Sequence, residues 1–261
     1  MTRYDLNLGF VGLGALGLPM AINLHRAGFR LRVHTRSRRA ETRPELRNTQ
    51  RCSSPADASV GVDVLLLCIS DDAAVEDVLF GPNGAASQLT ADSVVLDCST
   101  IAPATAQRCA ARLARQNVHY LDAPVTGGTE GASRGSLTVL VGGAKEPLER
   151  VRPILEVIGT AIHHFGAVGR GQQVKAVNQV LVAGSYAAVA EAVALGKRLD
   201  LPMERVIDAL KSGAAGSWAL EHRSNAMLEG TYPLGFRLSL HRKDLGIALD
   251  AARAVQLDLP V

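Results

Sequence analysis

Residues Gly9-Phe10-Val11-Gly12-Leu13-Gly14-Ala15-Leu16-Gly17 place a GxGxxG turn directly behind the apolar run Leu8–Val11 and ahead of a helical pattern over about Pro19 to Ala27. A strand, a glycine turn and a helix in that order open a βαβ unit and commit the chain to a parallel sheet. Each glycine has a mechanical reason. Gly12 permits the tight turn, Gly14 lets the backbone come up to a pyrophosphate, and Gly17 lets the helix pack close on the strand. The helix N-terminus then favours negative charge. Gly12, Leu13, Gly14, Ala15, Leu16 and Gly17 are therefore candidate contacts of a dinucleotide. The competing reading is an ordinary tight turn, and the flanking strand and helix weigh against it.

The end of the second strand, Leu31-Arg32-Val33-His34, narrows the choice of dinucleotide. A site for NAD usually carries an acid there for the ribose hydroxyls. This chain has Thr35-Arg36-Ser37, and no acid before Glu41. A guanidinium beside hydroxyls suits a 2′-phosphate, which arginine can bind bidentately. NADP(H) is favoured and NAD(H) remains possible; a solvated basic loop is the competing reading.

Short apolar runs alternate with helical patterns as far as about residue 165, which indicates a doubly wound, mostly parallel α/β sheet with helices on both faces. Val64 to Ile69 reads as a buried strand ending in Ser70-Asp71-Asp72. Ser93 to Asp97 reads as another, ending in Ser99-Thr100, with a helix from about Pro103 to Gln116. His119 to Asp122 and Leu137 to Val141 add two more. Ligands of such sheets bind outside the strand C-termini, so Ile69, Ser70 and Thr100 are further candidate cofactor contacts. Gly171 to Leu199 has few breakers and reads as one helix of roughly 28 residues, on the order of 40 Å. Everything after it reads as helical. The expected division is a Rossmann domain over residues 1–166 and an all-α domain over residues 167–261, joined by the long helix.

Composition removes several functions. Twenty-eight basic against 25 acidic residues give a net charge of +3, too even and too scattered for a nucleic-acid partner. No uninterrupted apolar run reaches membrane-spanning length. Met1-Thr2-Arg3-Tyr4-Asp5 lacks the apolar run of a signal peptide. The four cysteines show no CxxC or metal spacing, and Cys68 and Cys98 read as reduced core thiols. These features fit a cytoplasmic protein without a membrane partner. His163-His164, His222 and His241 offer no metal-ligand spacing, and no metal is expected.

Further motifs go beyond a generic dinucleotide fold. Asp122-Ala123-Pro124-Val125-Thr126-Gly127-Gly128 is followed by Gly131-Ala132 and Gly135-Ser136-Leu137-Thr138-Val139. Then come Gly169-Arg170-Gly171-Gln172-Gln173-Val174-Lys175-Ala176-Val177-Asn178-Gln179 and, later, Lys243-Asp244-Leu245. Together with Gly12 to Met20 these resemble the β-hydroxyacid dehydrogenase family, from about residue 7 to the end. Asn178-Gln179, Gly213-Ala214-Ala215-Gly216-Ser217 and Gly235 to His241 look most like its tartronate semialdehyde reductase branch. The resemblance implies a Rossmann domain, a long crossing helix, a helical domain, a cleft between the domains, and homodimers or homotetramers. It also implies a final helix beyond Leu259-Pro260-Val261, which this sequence lacks.

On that resemblance Lys175 is the proton donor or acceptor. A lysine ordinarily titrates near ~10.4, and burial would lower this. Asn178, three residues on, shares its helix face and can bond the substrate hydroxyl or fix the lysine. By spacing alone, Lys175 would read as a surface residue. Thr126, Gly127 and Gly128 resemble the family's carboxylate-holding segment, with threonine where serine is usual; consecutive glycine N–H groups can nest an anion. Thr100 resembles a nicotinamide-ribose contact, against a helix N-cap before Pro103. Lys243 resembles a cofactor-contacting lysine, against a solvated helix residue. Trp218 and Phe236 line the substrate side or belong to the core.

The expected reaction is interconversion of a small β-hydroxy acid and its semialdehyde or keto form, of tartronate semialdehyde reductase or 3-hydroxyisobutyrate dehydrogenase type. An imine reductase shares the architecture, but an ammonium at position 175 would oppose an iminium substrate. A non-catalytic NADP-binding module has no use for Lys175, Asn178 and the glycine nest.

Overall fold

The computed structural model describes residues 6–232 and 235–259. The readings of Met1–Asp5 and of the terminal Pro260-Val261 lie outside the described residues. Backbone contacts divide the chain into two compact units, Met1–Lys175 and Ala176–Val261.

The first unit is built on six parallel strands: β1 (Asn7–Val11), β2 (Arg30–His34), β3 (Gln50–Arg51), β4 (Val64–Leu67), β5 (Val94–Asp97) and β6 (His119–Asp122). Their order is β3-β2-β1-β4-β5-β6. The order reverses direction at β1, which puts the ligand crevice at the C-terminal ends of β1 and β4. Helices α1 (Gly17–Arg26), α2 (Pro55–Ala58), α3 (Asp72–Phe80) and α4 (Pro103–Ala114) follow strands β1, β3, β4 and β5. The central strands β1, β4 and β5 are buried on both sides because both faces are covered, whereas β2 and the edge strand β3 carry exposed polar residues. Leu8, Phe10, Leu66 and Leu96 pack with Met20 and Leu24 of α1, while Val11, Leu65 and Leu67 pack with Val75 and Leu79 of α3. Alternate residues of one strand thus enter opposite halves of the core, as the two-residue period requires.

Leu137 to Val141 does form a strand, but not in this sheet. A second, three-stranded sheet contains β7 (Val125–Thr126), β8 (Leu137–Val141) and β9 (Gly159–His164), with α5 (Gly128–Arg134) and α6 (Lys145–Ile158) between them. β7 and β8 pair antiparallel. The two-residue β7 is too short to carry a periodic signal, which is why a single sheet was expected. Leu148, Val151 and Ile154 of α6 join the α1 half of the core.

Helix α7 (Arg170–Arg198) has 29 residues, matching the expected long helix. It runs from the first unit into the second. By length and composition it is apolar enough to cross a membrane, with a mean hydropathy of 1.4 in its most apolar window. The expectation concerned uninterrupted apolar runs and is not overturned, because Asn178, Gln179, Gly184 and Ser185 interrupt this one. The second unit adds α8 (Met203–Leu210), α9 (Trp218–Glu229) and α10 (Leu238–Ala254). Its core joins Val189 and Val193 of α7 to Ile207 of α8 and Ala219 and Leu220 of α9.

Candidate active site

The glycine turn sits at the C-terminal end of β1, where the sheet order reverses. Gly12 has φ +103°, a region L side chains rarely adopt, and its N–H donates to the His34 carbonyl at 2.9 Å. A Cβ on Gly17 would collide with the Gly12 carbonyl oxygen, whereas a Cβ on Gly14 would meet nothing within 4 Å. Gly12 and Gly17 are thus required by the fold, and Gly14 is not. The space over Gly14 is open, at the position where the sequence reading expects a pyrophosphate.

Beside it, Thr35 is buried and Arg36 and Ser37 are exposed. The loop is organised by Glu41, a carboxylate only 1% exposed. It accepts the Thr35 N–H at 2.8 Å on one oxygen and pairs with Arg38 Nε at 3.0 Å on the other. Arg38 takes φ +60° and also donates to the Cys52 carbonyl at 2.6 Å. Arg38 is committed to holding the loop, and Arg36 is left at the surface.

The next strand ends are joined by a buried polar chain. Tyr120 donates its hydroxyl to Asp97 at 2.7 Å, Asp97 accepts the Ser99 N–H at 2.9 Å, and Ser99 Oγ accepts the Ile69 N–H at 2.9 Å. Burial pushes the Asp97 carboxyl above its ordinary value. Ser70 is exposed and donates to Asp71, whose other oxygen caps α3 through the Ala74 N–H. Thr100 is half-buried, and the N-cap of α4 is Ala102, without a side-chain bond. Neither Ser99 nor Thr100 occupies the N-cap position.

Asp122, at the end of β6, organises the start of α7. Its carboxylate accepts the Gly169 N–H at 2.7 Å and the Gln172 N–H at 2.9 Å. Burial raises its pKa, against the lowering effect of those bonds. Gln172 adds a brace: its amide donates to the Ser99 carbonyl at 2.8 Å and accepts the Ile101 N–H at 3.2 Å. Lys175, one turn later, is 8% exposed and donates from Nζ to the Val125 carbonyl at 2.9 Å. Val125 directly precedes Thr126, which is half-buried, and Gly127 and Gly128, with φ of +125° and +66°. The structure thus brings Lys175 to the Thr126–Gly128 segment. The surface reading of Lys175 does not hold.

The second unit carries the remaining candidates. Asn178 donates from Nδ2 to Gln179 Oε1 at 2.8 Å, and Gln179 donates from Nε2 to Asp244 at 2.7 Å. Lys243 Nζ lies 2.9 Å from the other Asp244 oxygen. The Phe236 ring sits 5.3 Å from that of His241, whose Nε2 lies 3.4 Å from the Gln179 carbonyl. Asn178, Lys243 and Phe236 are therefore connected through Gln179, Asp244 and His241. Trp218 stands apart from that network. It stacks on His222 at 4.7 Å with the Arg223 guanidinium 4.4 Å over its ring, and both it and Phe236 are largely exposed rather than core.

Residues 7–166 match the model of the NAD binding domain of 6-phosphogluconate dehydrogenase, and residues 169–261 match that of the NAD-binding region of NADP-dependent 3-hydroxyisobutyrate dehydrogenase. The chain belongs to the β-hydroxyacid dehydrogenase family. It is 38% identical to 2-hydroxy-3-oxopropionate reductase of Escherichia coli over 98% of this chain and 87% of that protein. It is 36% identical to 3-hydroxyisobutyrate dehydrogenase of Pseudomonas aeruginosa over 98% of this chain and 88% of that one. A crystal structure of 3-hydroxyisobutyrate dehydrogenase from Salmonella typhimurium superposes with a TM-score of 0.88 at 32% identity, covering 98% of this chain and 90% of that chain. As a β-hydroxyacid dehydrogenase family member, the chain is an oxidoreductase with an NAD(P)-binding Rossmann unit, and the matched second region contains α7.

Sequence reasoning missed Glu41, Asp97, Asp122, Gln172 and Gln179 as organisers of the site. Each acts on a neighbouring backbone or amide. Asp122, Gln172 and Gln179 lie inside the quoted motifs and Glu41 was noted as the nearest acid after β2, but sequence assigned none of them this role.

Proposed function

We propose that the chain interconverts a small β-hydroxy acid and its semialdehyde, with Lys175 as the proton-transferring group and NADP(H) as the preferred cofactor. The observation that carries this is the buried Lys175 ammonium 2.9 Å from the Val125 carbonyl, immediately before the Thr126-Gly127-Gly128 turn. A carbonyl acceptor holds an ammonium in place without neutralising it, and an ammonium so placed can pass a proton to a nearby oxygen. The Thr126 hydroxyl and the N–H groups of Gly127 and Gly128 offer donors to a carboxylate, which would orient the acid end of the substrate. A nicotinamide bound there would supply the hydride in the reducing direction and accept it in the other. Lys175 correspondingly gives a proton to the carbonyl oxygen or takes one from the hydroxyl.

The NADP preference rests on Glu41 and Arg36. Glu41 is buried with both oxygens engaged, so it is not offered to ribose hydroxyls. Arg36 and Ser37 are exposed on the same loop, where guanidinium and hydroxyl suit a 2′-phosphate. Exposed Val177, Leu181 and Leu195 on α7 support assembly into a homodimer or homotetramer, and the relatives' names as metabolic enzymes support a cytoplasmic location.

The test is NADPH oxidation by the purified protein with glyoxylate, succinic semialdehyde and tartronate semialdehyde. At least one should turn over. Lys175→Ala should lower kcat at least ~100-fold, the usual share of a positioned acid or base, while the cofactor still binds. Turnover by Lys175→Ala at the wild-type rate, or an inert wild type that retains NADPH, would refute the proposal; the second outcome would favour the binding-module reading.

A further inference from the structure

A second concavity lies at the opposite end of the six-stranded sheet from the glycine turn. It has a volume of about 510 Å³, and its walls include Asn7, His25, Arg30, Asn48 and Gln50. Asn7, Arg30 and Gln50 are the first residues of β1, β2 and β3, and His25 lies in the last turn of α1. The parallel strands bring these residues together at their N-terminal ends. The dinucleotide crevice opens at the C-terminal ends, on the order of 15 Å away along β1 and β2. No residue placed in the candidate active site lines this concavity. Its size falls within the roughly 300–1,000 Å³ of small-molecule sites.

Its side chains present mainly donors. Among the described residues that line it there is no carboxylate. Two neighbouring acids are already occupied: Asp57 holds Arg32 and the Ser53 N–H, and Asp63 accepts the Asn7 N–H at 2.8 Å. Arg32, also in the wall, is spent as well. Its Nε and Nη2 donate to the Asp57 carbonyl at 3.1 and 2.7 Å, and its Nη1 donates to Gln50 Oε1 at 2.6 Å. A guanidinium only donates, so the Gln50 atom facing it has to be the oxygen. The Gln50 amide nitrogen is thereby left with both N–H groups, and no described residue accepts from them. Arg30 is exposed, and its guanidinium makes no hydrogen bond or ion pair with any described residue. The surrounding chain is strongly cationic: residues 26–51 hold nine arginines against Glu41 and Glu45, and Glu41 is buried. A field of one sign over a concavity raises the local concentration of its counter-ions.

We propose that this concavity is a second ligand site, separate from the cofactor site, for a small oxyanion carrying two or more charges. The Arg30 guanidinium bonds two of its oxygens as a fork, and Gln50 Nε2 donates to a third. Arg32 is the positioning residue that keeps the Gln50 amide turned this way. Phosphates and polycarboxylates share the chemistry that such a site reads. The proposal does not depend on the hydroxy-acid reading above, because no turnover enters its test.

Pyrophosphate and citrate are titrated into the protein by calorimetry, with and without saturating NADPH. With NADPH present, at least one should bind as a single equivalent with a Kd of ~1 mM or below. Pyrophosphate alone would mark a phosphate site, citrate alone a polycarboxylate site, and both a site that reads charge; each supports the proposal. Arg30→Ala should weaken binding at least ~10-fold, the worth of a hydrogen bond to a charged group. Its thermal midpoint without anion should match wild type, since that guanidinium has no described partner to lose. Gln50→Glu keeps an oxygen for Arg32 but replaces the free donor with a carboxylate oxygen, and it should abolish binding. Arg36→Ala, at the far end of β2, should leave the Kd of the anion unchanged. The proposal is overturned if neither anion binds, if NADPH abolishes the binding, or if the affinity survives both Arg30→Ala and Gln50→Glu. A loss with Arg36→Ala equal to that with Arg30→Ala would assign the anion to the arginine-rich segment at large, and overturns it too.

Discussion

Gly14→Ala separates the cofactor role of the glycine turn from its structural role. A methyl group at position 14 meets no atom of the protein within 4 Å, and Gly14 is not among the residues with positive φ. The fold therefore has room for it. Replacing glycine where the backbone already suits alanine stabilises by about 0.4–1 kcal/mol, through the unfolded chain. The space it fills is the one a pyrophosphate needs in order to approach the backbone. We expect Gly14→Ala to keep or slightly raise the thermal midpoint by circular dichroism. NADPH affinity by titration calorimetry should fall at least ~10-fold, equivalent to about 1.4 kcal/mol. Gly17→Ala is the control with the opposite profile. Its Cβ would clash with the Gly12 carbonyl oxygen and lie 3.1 Å from the Cys68 Cβ, in a turn that cannot give way without moving β1. Overpacking of that kind costs about 1–3 kcal/mol, so Gly17→Ala should lose stability with or without cofactor. NADPH binding by Gly14→Ala at wild-type affinity would refute the assignment of this turn to the pyrophosphate.

Three other outcomes follow from the same structure. Arg36→Ala should weaken NADPH at least ~10-fold more than NADH, read as dissociation constants; equal losses would remove the 2′-phosphate assignment. Asp122→Asn keeps one acceptor oxygen for two N–H donors, Gly169 and Gln172. Leaving one buried donor unpaired should cost about 1–3 kcal/mol in urea denaturation, and kcat should fall with it because α7 begins there. Cys109 is fully buried and its thiol is pushed up to about 12 by desolvation. Its contribution to stability is complete below the unfolded thiol value of 9.0 and is lost as pH rises toward that raised value. Wild type should lose ~1.4 kcal/mol per pH unit above pH 9 from this thiol, and Cys109→Ala should show a correspondingly shallower alkaline slope in urea midpoints.

Much of this architecture is written in local patterns. The β1–turn–α1 unit, the buried β4 and β5 runs and the 29-residue α7 all follow from periodicity and from glycines whose geometry admits no substitute. The second sheet was not legible, because its anchor β7 is two residues long and its antiparallel pairing with β8 is a tertiary event. Lys175 shows the same limit in the site. As a helical lysine it reads as exposed, and only the fold reveals a buried ammonium bonded to Val125. Arg38 could not be told from Arg36 by sequence either. What separates them is a positive φ at Arg38 and a buried carboxylate behind it.

Three buried acids share one use. Asp97 and Asp122 at strand ends, and Glu41 in the loop after β2, turn their carboxylates onto backbone N–H groups. An acid in that position does for an irregular loop what a ladder does for a strand: it gives buried donors a partner. The consequence is clearest between Asp122 and Gly128. Asp122 fixes the first turn of α7, Val125 receives the Lys175 ammonium, and Gly127 and Gly128 open their N–H groups beside it. On the proposed reading, one seven-residue stretch therefore sets both the place of the proton donor and the place of the anion nest. Their separation does not depend on any long or flexible connection, and a reaction that needs a proton delivered at a fixed distance from a held carboxylate is served by that arrangement.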